Sequence, residues 1–261
     1  MKRYLMLLLI IAILLIGCSQ NRKNNSTESA EVPSKKEIFD KFVDEKDLES
    51  YILKVNNEEI FNAQSDEKKY TAISEGSLEM IKEPLIYHTK WQDDGDKKNE
   101  RESYVIDKEF FYRENNGNWN KQPVEEEVKN DEEKTYFVGK TIISSSTILK
   151  LLESYYELTE SEDTYIAKLD SGSDNIDEIK NIIFGKDKNS SFFGELISLK
   201  AQYSFKKDNY YPISFEWKAK FLNKDNNEVM EIKQTGNYEQ INKLENIEIP
   251  QEVKSLLNSD L

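Results

Sequence analysis

Three stretches in the last third of the chain alternate apolar and polar residues with a strict period of two. Ile197, Leu199, Ala201, Tyr203 and Phe205 form the first, and Ile213, Phe215, Trp217, Ala219 and Phe221 the second. Met230 and Ile232 carry the pattern on after the polar turn Asn223-Lys-Asp-Asn-Asn227. Successive strand side chains point to opposite faces, so this pattern predicts an antiparallel sheet with one apolar and one wet face. Weaker alternation runs through Tyr51, Leu53 and Val55, then Leu85, Tyr87 and Trp91, then Tyr104, Ile106, Phe110 and Tyr112. Turn chemistry at Asp94-Gly95 and at Asn115-Asn116-Gly117-Asn118, just before Trp119, divides these segments into an antiparallel meander.

Elsewhere the period changes to that of a helix. Ser34 and Glu37 stand at capping-box spacing before Ile38, Phe39, Phe42 and Val43. Ile148, Leu149, Leu151, Leu152, Tyr155 and Tyr156 recur at helical spacing ahead of a strand-like Tyr165-Ile-Ala-Lys-Leu169. A further helix is expected where Asp174 caps the stripe Ile176, Ile179, Ile182 and Ile183, with Gly185 at its C-terminal end. An apolar sheet face has to be covered, and these helices are the available cover. The expected fold is therefore α+β: a long, curved antiparallel sheet, an open half-barrel, with helices packed on its concave face. One domain over residues 35–261 accommodates it.

The opening residues differ in character from the rest. Lys2 and Arg3 precede an uncharged apolar run, Tyr4 to Ile16, of about 13 residues, which fits the hydrophobic region of a signal peptide. It is shorter than the ~20 residues a membrane span requires. Leu15-Ile16-Gly17-Cys18 resembles the lipobox cleaved ahead of a lipidated cysteine, and Cys18 is the only cysteine in the chain. Residues 1–17 are thus expected to be a lipoprotein signal peptide and Cys18 the site of diacylglycerol attachment. Two acyl chains on one residue give durable membrane anchorage, and no thiol is left for a disulfide. Residues 18–34 contain almost nothing to bury and read as a tether, roughly 20 Å long on average. The expected location is the extracytoplasmic face of the cell membrane.

Charge narrows the function. The net charge is −14 and the lysines are interspersed with acids, so nucleic acid is not expected as a partner. His88 is the single histidine, which leaves neither a histidine-based metal cluster nor a Ser-His pair with support. No Gly-x-Ser-x-Gly, Walker or dinucleotide-binding pattern occurs. Ser144-Ser145-Ser146 reads as a helix cap, and Asp93-Asp94-Gly95-Asp96 as a hairpin turn lacking the ligand spacing of an EF-hand. The expectation is a non-enzyme with no cofactor and no metal.

The order of elements, the Lys206-Lys207-Asp208 turn into Tyr211-Pro212, and the closing Gly236-Asn237-Tyr238 through Asn246-Ile-Glu-Ile-Pro250 carry a family resemblance. The chain resembles Gram-positive lipoproteins whose fold is like that of the lipoprotein carrier LolA and the mycobacterial lipoprotein LppX. The final strand is expected to end at Pro250. The resemblance implies an open half-barrel able to hold a lipid or other hydrophobic ligand between sheet and helices. Tyr203, Phe215, Trp217 and Phe221 would then line part of a cavity. Its alternative is a sheet filled by its own helices, serving as an anchored interaction or sensor module for another envelope protein. Either way the membrane is the partner through the acylated cysteine, and the protein is expected to be a monomer.

Overall fold

A computed structural model of the chain describes residues 33–67, 69–94, 99–123, 146–171, 175–184 and 194–258. Lys35–Leu261 forms one compact unit, separate from Met1–Ser34. Eleven strands make one antiparallel sheet: β1 Ser50–Phe61, β2 Tyr70–Ile81, β3 Ile86–Asp94, β4 Asn99–Ile106, β5 Glu109–Glu114, β6 Asn120–Pro123, β7 Glu157–Glu160, β8 Thr164–Ser171, β9 Glu195–Lys206, β10 Pro212–Asn223 and β11 Glu228–Glu239. Their order is β6-β5-β4-β3-β2-β1-β11-β10-β9-β8-β7, so two meanders meet where β1 pairs with β11. Among the described residues the edge strands β6 and β7 do not pair with each other, and the sheet is not closed.

Among the described residues four short helices accompany it: α1 Lys35–Lys41, α2 Ser146–Leu151, α3 Ile176–Phe184 and α4 Gln251–Leu257. Ile38, Phe39, Leu149, Ile176 and Ile179 of the first three are buried in one apolar cluster with alternate residues of β1, β2 and β8–β11. Phe42, just past α1, meets Phe205 edge-on at 5.1 Å. No helix among the described residues is long and apolar enough to cross a membrane. The caps expected at Asp174 and Gly185, Ser144 and Ser145 of the serine run, and Gly95-Asp96 lie outside the described residues. The hairpin that Asp93-Asp94 enters is nevertheless present, because Asp93 pairs with Asn99 across β3 and β4.

Four local readings need correction. The period-two run through Tyr104, Ile106, Phe110 and Tyr112 is two strands. Asp107 and Lys108 turn it back with positive φ of 51° and 80°, and Tyr104 and Ile106 face away from Phe110 and Tyr112. Ile197 is exposed because a β-bulge in β9 between the Lys220 and Phe221 pairings gives its core position to Leu196. Leu85 belongs to the turn before β3 and is exposed. The segment ending at Pro250 is no strand: β11 stops at Glu239, and Pro250 is the N-cap of α4. Ile247 and Val253 from this region bury themselves with Ile86, Tyr104, Ile106 and Phe111 in a second cluster, so β3–β5 are covered on the face that alternation predicted to be wet.

Candidate functional site

One row of directly paired residues crosses ten of the eleven strands on the core face. From β5 to β7 it reads Glu114, Arg101, Trp91, Gly76, Val55, Gly236, Phe215, Tyr203, Ala167 and Leu158. Two glycines let rings lie flat on the sheet. A Cβ at Gly236 would stand 2.2 Å from the Phe215 ring, and one at Gly76 would stand 2.6 Å from Trp91 Cδ2. Composition along the row changes in this direction from charged to apolar. On the β8–β11 side the face is filled by its own side chains; on the β1–β5 side it opens into a pocket of about 580 Å³.

The four aromatic residues expected to line a cavity lie on the filled side. Tyr203, Phe215, Trp217 and Phe221 are 5%, 3%, 1% and 0% exposed and belong to the main apolar cluster, and none of them lines the pocket. Trp217 reaches the pocket wall through one hydrogen bond. Its indole N–H donates to Gln234 Oε1 at 3.1 Å, and Gln234 lines the pocket. Phe215 belongs to the row that continues through Gly236, Val55 and Gly76 to Trp91.

Sequence reasoning had not singled out most of the lining. Tyr70, Trp91, Phe110 and Tyr112 supply its rings, and Ala72, Ser74 and Thr89 its small floor. Asn57 and Glu59 are each 5% exposed, and Asn57 Nδ2 donates to Glu59 Oε1 at 3.0 Å. The partner fixes the amide's orientation and turns Asn57 Oδ1 away from Glu59, where it has no hydrogen-bond partner among the described residues. Arg101 Nη2 spans both oxygens of Asp93 at 3.1 Å, while its buried Nε has no partner there. Among the described residues the lining carries five carboxylates, Glu59, Asp93, Asp94, Glu102 and Glu114, against the guanidinium groups of Arg101 and Arg113. A detectable signal existed: Ala72, Ser74 and Gly76 occupy the core-facing positions of β2, so apolar alternation lapses where the pocket floor lies.

On the opposite face a second pocket of about 610 Å³ is lined mainly by polar and charged side chains, among them Lys54, Glu75, Lys90 and Glu100. His88 is buried beside it in β3, stacked on Tyr104 at 4.2 Å, with its ring nitrogens 2.9 Å from Glu79 and Glu102. Burial disfavours the Glu102 carboxylate, but hydrogen bonds from His88 and Arg113 and the charge of Lys90 outweigh it and hold its pKa below the usual value. Among the described residues no group of three or more His, Cys, Asp or Glu is arranged to hold a metal ion.

These features define a class: an open, wholly antiparallel sheet whose core face is packed at one side and hollowed into an aromatic and acidic pocket at the other. Residues 34–257 match the model of a family of unknown function, DUF6612, and the chain belongs to that family. No curated protein matches it.

Proposed function

We propose that this protein is a lipoprotein of the extracytoplasmic membrane face, anchored through Cys18, whose domain binds a lipid or other hydrophobic molecule. In this reading the sheet curves as a LolA/LppX-like half-barrel with α1, α2 and α3 on its concave side, and the core-face pocket over β1–β5 receives the ligand. The observation that carries the proposal is the pocket's position. It continues an apolar core face, has the volume of a small-molecule site and carries four aromatic side chains beside a few buried polar groups. Of the four aromatic residues Tyr203, Phe215, Trp217 and Phe221, Trp217 supports the site by bracing Gln234 in its wall. A second reading, an anchored interaction module without a small ligand, draws on the dense packing of those same four residues.

Native mass spectrometry with lipid extraction, on a soluble form beginning at Ser34 and purified without detergent, separates the two. A stoichiometric co-purifying lipid is the expected result, and an apo mass unchanged by incubation with membrane lipids would favour the interaction module. The anchor has its own test. Labelled palmitate fed to expressing bacteria should be incorporated into the wild type and not into Cys18→Ala; equal labelling would refute acylation at Cys18.

A further inference from the structure

Gln234 decides what the pocket recognises in a ligand; this step rests on the ligand-binding reading above. The residue is directly paired with Trp217 of β10 on one side and with Asn57 of β1 on the other, where the packed half of the core face gives way to the pocket. Its side chain lines the pocket although only 3% of the residue is exposed. An amide interrupts the apolar face here, since Ile232, the preceding core-facing residue of β11, is buried in the main cluster.

The indole N–H of Trp217 can only donate, so the atom that accepts it at 3.1 Å is the carboxamide oxygen, and the orientation of the amide is fixed. This contact accounts for the oxygen and leaves the two N–H groups of Nε2 over. Nε2 has no hydrogen-bond partner among the described residues. Unlike Asn57 Oδ1 it is not shielded from water, so a molecule in the pocket meets it without rearrangement of the wall. A donor held in a largely buried side chain with its bonds unmade is costly, and an acceptor entering the pocket recovers that cost.

The surrounding charges say which acceptor. Arg101 spans Asp93, and Arg113 Nε donates to Glu102 at 2.8 Å, so the charge of each guanidinium is matched within the lining. Glu59, Asp94 and Glu114 add further negative charge to that lining, which opposes an anionic group at Gln234. An ammonium would bring donors to a donor, whereas a carbonyl oxygen brings two lone pairs, no proton and no charge. We infer that Gln234 is the specificity-determining residue of the pocket: its Nε2, aimed by Trp217, donates to the ester or amide carbonyl of an uncharged acyl ligand whose chain lies against Trp91 and the neighbouring rings.

The test compares monodecanoylglycerol, its ether counterpart monodecylglycerol, and decanoate by calorimetric titration below their micellar concentrations. The protein is the chain from residue 18 onward carrying Cys18→Ser. Ester and ether are both uncharged and share the glycerol head, so the preference between them reads the carbonyl alone. The ester should bind about fivefold tighter than either comparison ligand, the worth of one hydrogen bond. Gln234→Glu keeps an oxygen for Trp217 and replaces the donor by an acceptor, so it should erase the ester's advantage over the ether while both still bind. If that variant does not fold, Trp217→Phe, which keeps the donor but no longer aims it, should cut the advantage to about twofold or less; an advantage left whole would overturn the inference. Ester and ether binding equally well to the wild type, and neither to Ser74→Trp, would overturn the role of Gln234 and leave the pocket reading standing. No binding of any ligand would overturn both. An ester preference that survives Gln234→Glu belongs to another donor, and would overturn the inference too.

Discussion

At the residue scale two glutamates depart from ordinary carboxylate chemistry in opposite directions. Glu45, between α1 and β1, accepts a hydrogen bond from Tyr238 and lies close to Tyr51 and Tyr203. Burial raises its pKa to about 7; the Tyr238 hydrogen bond works against this and the charge of Asp44 adds to it. A carboxyl whose folded pKa lies above its unfolded value binds protons more tightly in the folded state. Its stabilising contribution is whole below about pH 4.5 and is lost as pH rises to about 7. Glu45→Gln should therefore be more stable than the wild type at pH 8, by roughly 1–3 kcal/mol, and show no such gain near pH 4. Urea denaturation across that range checks it; a gain independent of pH would contradict it. Glu195 has the opposite sign. Hydrogen bonds from Lys180 and Lys224 hold it at about 2, so its contribution is present above about pH 4.5 and fades as pH falls toward 2.

Gly76 makes a second prediction at this scale. A methyl group there would meet Trp91 Cδ2 at 2.6 Å and the Lys90 carbonyl oxygen at 2.7 Å. Side chain and backbone are blocked together, so Gly76→Ala should lift Trp91 from the pocket floor and cost about 1–3 kcal/mol. Denaturation followed by tryptophan fluorescence should show both the loss and an altered folded-state spectrum. An unchanged midpoint and spectrum would mean that Trp91 does not lie against this glycine.

At the scale of elements, β9 and β10 were the most legible, because alternate side chains of theirs join a large apolar cluster, and β11 was legible at Met230 and Ile232. The same principle hid β2, whose core-facing residues are small where they floor a pocket. It also hid β7, a four-residue edge strand with charged ends that buries little. Helix α4 was missed because one strongly buried residue, Val253, holds it to the sheet, and four of the five other buried members of its cluster, Ile86, Tyr104, Ile106 and Phe111, are far from it in sequence. Since its cluster is distinct from the main core, Val253→Ala should cost about 1–3 kcal/mol and loosen chiefly α4 and the segment before it. Hydrogen exchange should show amides of residues 244–257 losing protection while β9 and β10 keep theirs. Equal loss in both regions would show that the two clusters open as one unit.

At the scale of the whole molecule, two meanders joined at β1 and β11 give one sheet face two kinds of surface. The β8–β11 half is packed by α1, α2 and α3 residues, and the β1–β5 half carries the pocket. Tyr203, Phe215, Trp217 and Phe221 were legible as core-facing residues because strand alternation dictates their face. Which part of that face stays open was not legible, since it depends on where the helices pack and on register across strands far apart in sequence. Asn57, Ser74 and Asp93 become neighbours only through the pairing of β1, β2 and β3.

The central claim is that the pocket over β1–β5 is the binding site, and filling it is the most direct test. Ser74→Trp places a large ring at the middle of its floor, on a residue with no part in the main apolar cluster. In native mass spectrometry after incubation with membrane lipids, the wild type should give a one-to-one lipid adduct, and a folded Ser74→Trp variant should lose at least nine-tenths of it. Equal adduct formation by both proteins, or none by the wild type, would contradict the account.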